Sequence, residues 1–165
     1  MKIQGLLPFA SHRILILLLI FCFLGLTSCA QLEGKVVSVA DGDTFTMLTR
    51  EKKQIKVRLH GIDCPERKQA FGQVAKTYAS DLVFGKEVKL TVSDKDRYGR
   101  TVAIVELENG QILNEMLLQA GLAWHYKKYD KNPEWAIMEN KARRLRKGLW
   151  KDKNPKAPWD FRKRH

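Results

Sequence analysis

Cysteine, histidine and acidic side chains are all scarce in this 165-residue chain, and each scarcity closes off a class of protein. Of the three cysteines, Cys22 falls inside an N-terminal apolar run and Cys29 ends it, which leaves Cys64 alone in the remainder. One thiol cannot build an intramolecular disulfide framework. Nor does Cys64 have a histidine or asparagine partner in a pattern that would make it a nucleophile. The four histidines, His12, His60, His125 and His165, are scattered without the paired spacing of a zinc site. His60 reads as a surface histidine with no role. The apolar run at residues 14–26 is shorter than the ~20 residues that span a bilayer. No internal repeat and no second domain are visible.

What is abundant is base. Thirty Lys and Arg stand against 18 Asp and Glu, a formal charge of +12. A chain this basic is biased toward polyanions, either nucleic acid or an anionic membrane surface. Lys2 and Arg13, the apolar run and the small residues after it read as an export signal over residues 1–28. Leu26-Thr27-Ser28-Cys29 has the form of a bacterial lipobox, in which Cys29 is acylated and becomes the first mature residue. An uncleaved anchor and an ordinary cleavage site are the alternatives. The leader carries two cations and no acid, so the charge from Cys29 onward falls to +10. The expected location is the cell envelope, as a membrane-anchored lipoprotein, or outside the cell if no lipid is attached.

Beyond a short segment at residues 31–33, residues 35–39 and 44–48 are strand-like, and Asp41-Gly42-Asp43 between them is a turn signal. Ile55, Val57 and Leu59 alternate with Lys56, Arg58 and His60 in a third strand. That period puts Arg58 on the outward face, its guanidinium free to meet solvent or substrate. Phe71, Val74, Ala75, Tyr78, Ala79 and Leu82 then recur at helical spacing, in a helix expected to start after Pro65 and to end at Gly85. Two more strands, at residues 88–92 and 102–107, flank a charged connector at residues 94–100. Leu113, Met116, Leu117 and Ala120 predict a short helix. Asn132-Pro133 opens a last one carrying Trp135, Met138, Ala142, Leu145 and Leu149, with Trp135 and Trp150 read as core. Five strands split three and two by a helix, with further helices at the end, predict an α+β, mainly β protein. The architecture is a five-stranded OB-fold Greek-key barrel with about three helices, over residues 30–150. Residues 151–165 read as a mobile basic tail.

Asp43, Asp63 and Glu66 fall at turns or strand ends, beside Arg58 and Arg100. Carboxylates without soft ligands suit a hard cation, Ca²⁺ or Mg²⁺. Paired guanidiniums suit phosphate. The blander interpretation is that Asp63-Cys64-Pro65-Glu66 is a capping box for the next helix, and that the arginines decorate a solvated face.

Asp41-Gly42-Asp43-Thr44, then Arg58-Leu59 through Ile62-Asp63-Cys64-Pro65-Glu66, then Asp96-Arg97-Tyr98-Gly99-Arg100, then Asn114 through Ala120-Gly121-Leu122-Ala123, and finally Gly148-Leu149-Trp150, resemble the staphylococcal nuclease (thermonuclease) family in order and spacing. The resemblance covers residues 34–150. It implies a Ca²⁺-dependent phosphodiesterase acting on DNA and RNA and leaving 3′-phosphate ends. By that resemblance Asp43 and Asp63 bind Ca²⁺ through carboxylates and Cys64 through its backbone carbonyl; many relatives have Thr at that position. Glu66 acts as general base or orients the attacking water, while Arg58 and Arg100 stabilise charge on the transition state. Arg97 and Tyr98 contact the terminal phosphate, although Lys is common where Arg97 stands. Tyr129, or else Tyr126, stacks on a base. The working form is expected to be a monomer on single-stranded DNA or RNA, tethered to a membrane through Cys29. The competing expectations are a non-catalytic OB module that binds single strands and a basic lipoprotein of the envelope.

Overall fold

Strand register decides which side chains of this protein meet the core and which meet the site. The computed structural model describes residues 31–163; the leader and Cys29 lie outside the described residues. In chain order the strands are β1 (Gln31–Val39), β2 (Thr44–Thr49), β3 (Gln54–Leu59), the two-residue β4 (Ile62–Asp63), β5 (Glu87–Lys95), β6 (Thr101–Leu107) and the two-residue β7 (Trp124–His125). The helices are α1 (Gly72–Val83), α2 (Leu113–Gln119), α3 (Pro133–Arg144) and the short α4 (Pro158–Arg162), with a 3₁₀ turn at Gly148–Lys151.

Strands β1, β2, β3, β6 and β5 close into a barrel in that order. Neighbours run antiparallel except β3 and β6, whose parallel pairing sets Arg58 beside Val102. This is the five-stranded, mainly β barrel with three principal helices that the periodicity predicts. Val36, Met47, Val57, Leu90, Ala103 and Val105 fill it with no exposed surface. Burying each larger apolar side chain contributes about 1.5–3 kcal/mol. Leu113, Leu117 and Leu118 of α2 join the same cluster, as does Trp135 of α3. Asn114, fully buried, ties α2 to the barrel. Its Oδ1 accepts from the Val105 amide at 3.1 Å and its Nδ2 donates to the His60 carbonyl at 2.9 Å.

Three local expectations change. Helix α1 starts at Gly72, not after Pro65, because residues 66–71 fold into successive turns in which the Glu66 carbonyl accepts from Gln69 and the Gln69 carbonyl from Gly72. Phe71 takes left-handed backbone at the helix entry, and a Cβ on residue 72 would lie 1.9 Å from the Glu66 carbonyl oxygen. Only glycine permits that approach. Helix α3 stops at Arg144, so Leu145 is exposed and Leu149 belongs to the 3₁₀ turn. There Leu149 and Trp150 pack with Ala142, and the Arg143 guanidinium lies 3.8 Å from the Trp150 ring centroid.

The third change concerns the C-terminal segment, expected to be a mobile tail. Residues 151–163 fold back toward the β4–β7 pair and the turns at residues 66–71, with Ala157 and Pro158 buried at the start of α4. Aromatic anchors explain the difference. Trp159 stacks on Tyr126 at 4.7 Å, with 16° between the rings, and meets the edge of Trp124 at 5.6 Å.

Candidate active site

The acids and guanidiniums singled out from sequence are linked in one chain of contacts along the barrel rim. The Asp41-Gly42-Asp43 turn delivers the Asp43 carboxylate to the first residue of β2. It packs so closely that a Cβ on residue 42 would meet Ala75 and Cys64 at 2.8–2.9 Å. Asp43, 4% exposed, accepts from the Cys64 amide at 2.8 Å and from the Thr44 hydroxyl at 3.1 Å. It also forms an ion pair with Arg58. The second fork nitrogen of Arg58 donates to Asp63 Oδ1 at 2.7 Å.

Arg58 does stand outward from the barrel core, between buried Val57 and Leu59, yet it is not free. Its side chain is 16% exposed and clamped between two carboxylates. Asp63, 1% exposed, is fixed by β4, which pairs with β7 so that Asp63 lies opposite Trp124. The capping-box interpretation falls here, since Asp63 and Glu66 precede the helix by several residues and spend their oxygens on guanidiniums.

Arg100 approaches from the β5–β6 connector. Asp96 holds that loop, accepting from the Tyr98 and Arg100 amides and from Arg100 Nε at 2.7 Å. Arg100 Nη1 reaches the Thr44 hydroxyl at 3.5 Å, so both predicted arginines contact the 43–44 segment. Arg97 donates to the Tyr98 hydroxyl at 2.7 Å and lies over its ring, on the exposed loop tip. Of the two candidate stacking tyrosines, Tyr129 is 62% exposed, whereas one face of Tyr126 is covered by Trp159.

Arg162 was not anticipated. Its guanidinium donates to both Asp63 oxygens, at 2.9 and 3.3 Å, and to Glu66 Oε1 at 2.6 Å. The available signal was the aromatic pair Trp159 and Phe161 set among cations, which is unusual in a solvated tail.

Burial and crowding set the protonation of these acids. Burial, then the negative charge of Asp43, pushes the Asp41 carboxyl up to about 7. The same two causes raise Asp63, against the opposing pull of Arg162 and Arg58. Burial works to raise Asp43 too, but the Arg58 charge and the Cys64 amide together hold it below the usual carboxylate range. The Cys64 thiol is driven well upward by burial and by Asp43, which keeps it neutral and leaves only its carbonyl as a donor to a hard cation.

Among the described residues no three acidic, histidine or cysteine side chains are drawn together as a ready cage for an ion. The donor chemistry nonetheless fits a hard divalent cation: the oxygens are all carboxylate or carbonyl, and the two buried acids draw in positive charge, Arg58 at Asp43 and both Arg58 and Arg162 at Asp63. The residues fit such an ion once a guanidinium gives way.

A closed five-stranded barrel with clustered carboxylates and guanidiniums at its rim defines an OB-type protein equipped to handle phosphate. Residues 56–152 match the staphylococcal nuclease homologue family. The chain belongs to that family. It is 43% identical over 155 residues to an uncharacterized endonuclease of Haemophilus influenzae, covering 93% of this chain and 86% of the relative. It is 38% identical over 147 residues to an uncharacterized endonuclease of Escherichia coli, covering 89% of this chain and 95% of the relative. A micrococcal nuclease of Shigella flexneri is 40% identical over 144 residues, covering 81% of this chain and 82% of that protein.

Proposed function

We propose that this nuclease is a Ca²⁺-dependent phosphodiesterase that cleaves DNA and RNA at the 5′-oxygen–phosphorus bond and leaves 3′-phosphate ends. The observation that carries this reading is the continuous alternation Arg100, Thr44, Asp43, Arg58, Asp63, which confines two carboxylates and two guanidiniums to one rim. A phosphodiester repels nucleophiles, so its hydrolysis requires positive charge fixed in place beforehand. Arg58 meets that requirement, because Asp43 and Asp63 hold both arms of its fork and leave little rotational freedom to lose. Arg100 is pinned through Nε by Asp96 and reaches Thr44 with Nη1, which leaves Nη2 to meet a leaving oxygen.

Asp43, Asp63 and the Cys64 carbonyl would hold Ca²⁺, which when bound neutralises charge on the phosphate and makes water more acidic. Glu66, the most exposed acid of the set, takes or orients the proton of the attacking water. Arg97 and Tyr98 meet a terminal phosphate, and Tyr129, 62% exposed, is the ring offered to a base.

A second reading, a barrel that holds single strands without cutting them, draws on one observation: both Asp63 oxygens are committed to guanidiniums. Incubating purified residues 30–165 with single-stranded DNA and RNA, in Ca²⁺ or chelator, separates the two. Calcium-dependent products ending in 3′-phosphate are expected, and salt-sensitive retention of intact strands would favour the second reading. The envelope location is proposed from the leader alone, through a lipid on Cys29. Labelling with a fatty-acid analogue, lost in Cys29→Ser, tests it.

A further inference from the structure

We propose that the C-terminal strap, residues 157–163, is a built-in competitor of the active site, with Arg162 holding the position that a divalent cation must take. This rests on the metal-dependent reading above and adds a regulator to it.

Contacts at Arg162, Trp159 and the adjoining Lys156 help seat the strap, and the first two use features of the proposed site. The Arg162 guanidinium spans Asp63 and Glu66, covering both oxygens of one acid and one of the other. The Trp159 indole lies flat on Tyr126, as a nucleobase would. The Lys156 carbonyl accepts from Gln69 Nε2 at 2.7 Å, and Gln69 Oε1 accepts from the Glu66 amide at 3.1 Å, so one side chain holds both the strap and the Glu66 turn. A cation over the acids and an aromatic ring over Tyr126, the alternative stacking tyrosine beside Tyr129, imitate from within the chain a metal and a base.

The strap is also built to leave. A cavity of about 300 Å³ lies between it and the 65–71 turn, bordered by Pro65, Phe71, Leu149, Pro155 and Phe161. Continuous packing, which would lock such a segment down, is therefore missing on that side. The Arg162 side chain is 44% exposed, so its ion pairs are partly screened and exchange with a solvated ion is feasible. A divalent cation brings two charges where the guanidinium brings one, and it bonds carboxylate oxygens directly. Arg162 then leaves Asp63, and the released strap uncovers Tyr126.

The test compares the full chain with Arg162→Gln, using Lys163→Gln as the charge control, because Lys163 pairs with Asp160 outside the acid cluster. Ca²⁺ affinity is measured by calorimetry, without nucleic acid. Arg162→Gln should bind Ca²⁺ about tenfold or more tightly than the parent, the equivalent of losing one competing charge-assisted hydrogen bond. Lys163→Gln should match the parent within about twofold. Hydrogen exchange of the 157–163 amides in the parent should accelerate when Ca²⁺ is added. Equal affinities of parent and Arg162→Gln, equal gains in both variants, or exchange unchanged at saturating Ca²⁺ would each overturn the proposal. If the parent binds Ca²⁺ and cuts nucleic acid while Arg162→Gln behaves like it, only the strap proposal fails. If neither protein binds Ca²⁺, the metal reading falls and takes this one with it.

Discussion

Removing Arg58 would leave two buried carboxylates facing each other without the cation that holds them apart. Breaking a buried pair by deleting one partner typically costs about 3–5 kcal/mol. Arg58→Ala should therefore lose both activity and stability, seen as a lower urea midpoint beside a turnover reduced by about 10²-fold or more. Glu66 is different, being partly exposed and paired with an exposed arginine. Glu66→Gln should lose turnover on a similar scale, at least about 10²-fold, with unfolding free energy within about 1 kcal/mol of the parent. Loss of stability in Glu66→Gln equal to that of Arg58→Ala would contradict this division of labour. Asp41 supplies a pH dependence of known sign. Below its ordinary value of 3.8 the carboxyl is protonated in folded and unfolded chains alike, and ionisation costs neither state. As pH rises toward about 7 the unfolded chain ionises first, so the folded state loses ground, most fully above 7. Measured in chelator, Asp41→Asn should be more stable than the parent at pH 8, and the gap should close at pH 4. An equal gap at both would rule out the retained proton.

Elements set these side chains with different degrees of legibility. Strands β2, β3, β5 and β6 could be read from alternation because one face of each meets the core. The acids and arginines could be read because turn chemistry and the ordered motifs agree. The start of α1 could not, since the turns at residues 66–71 depend on a backbone crossing between Glu66 and Gly72 that leaves no periodic trace. The two-residue β4 and β7 are too short for any period. The strap was illegible because Trp159 finds its partners, Tyr126 and Trp124, more than 30 residues upstream. The Gly72 crossing carries its own prediction. Gly72→Ala forces a Cβ into the Glu66 carbonyl, so the turn must shift. Overpacking of this kind costs about 1–3 kcal/mol, and Glu66 should move with the turn. Circular dichroism should show an intact barrel of lower melting temperature, while turnover falls by more than the loss of folded protein explains. Turnover that simply tracks the folded fraction would show that Glu66 stayed in place.

For the whole molecule, charge and barrel act together. From Cys29 onward the formal charge is +10, and the guanidiniums of Arg97 and Arg100 stand on the same loop at the site's edge. Binding of a single-stranded oligonucleotide in chelator should weaken with salt, with a log–log slope of about −0.7 for each phosphate contacted. Arg97→Gln should make that slope shallower by about 0.7, and an unchanged slope would remove Arg97 from the phosphate path.

The pairing of Thr44 with Arg58 across β2 and β3 ties the chemistry proposed for Arg58 to folding more tightly than either needs alone. Sliding β3 by one position would swing its charged fork into the oily interior and push Val57 into water. A misaligned chain would thus forfeit its interior and its chemistry in one move. Selection for a sound barrel therefore guards the aim of the guanidinium, and a well-folded impostor with its machinery turned inside out has no place in the repertoire of this sequence.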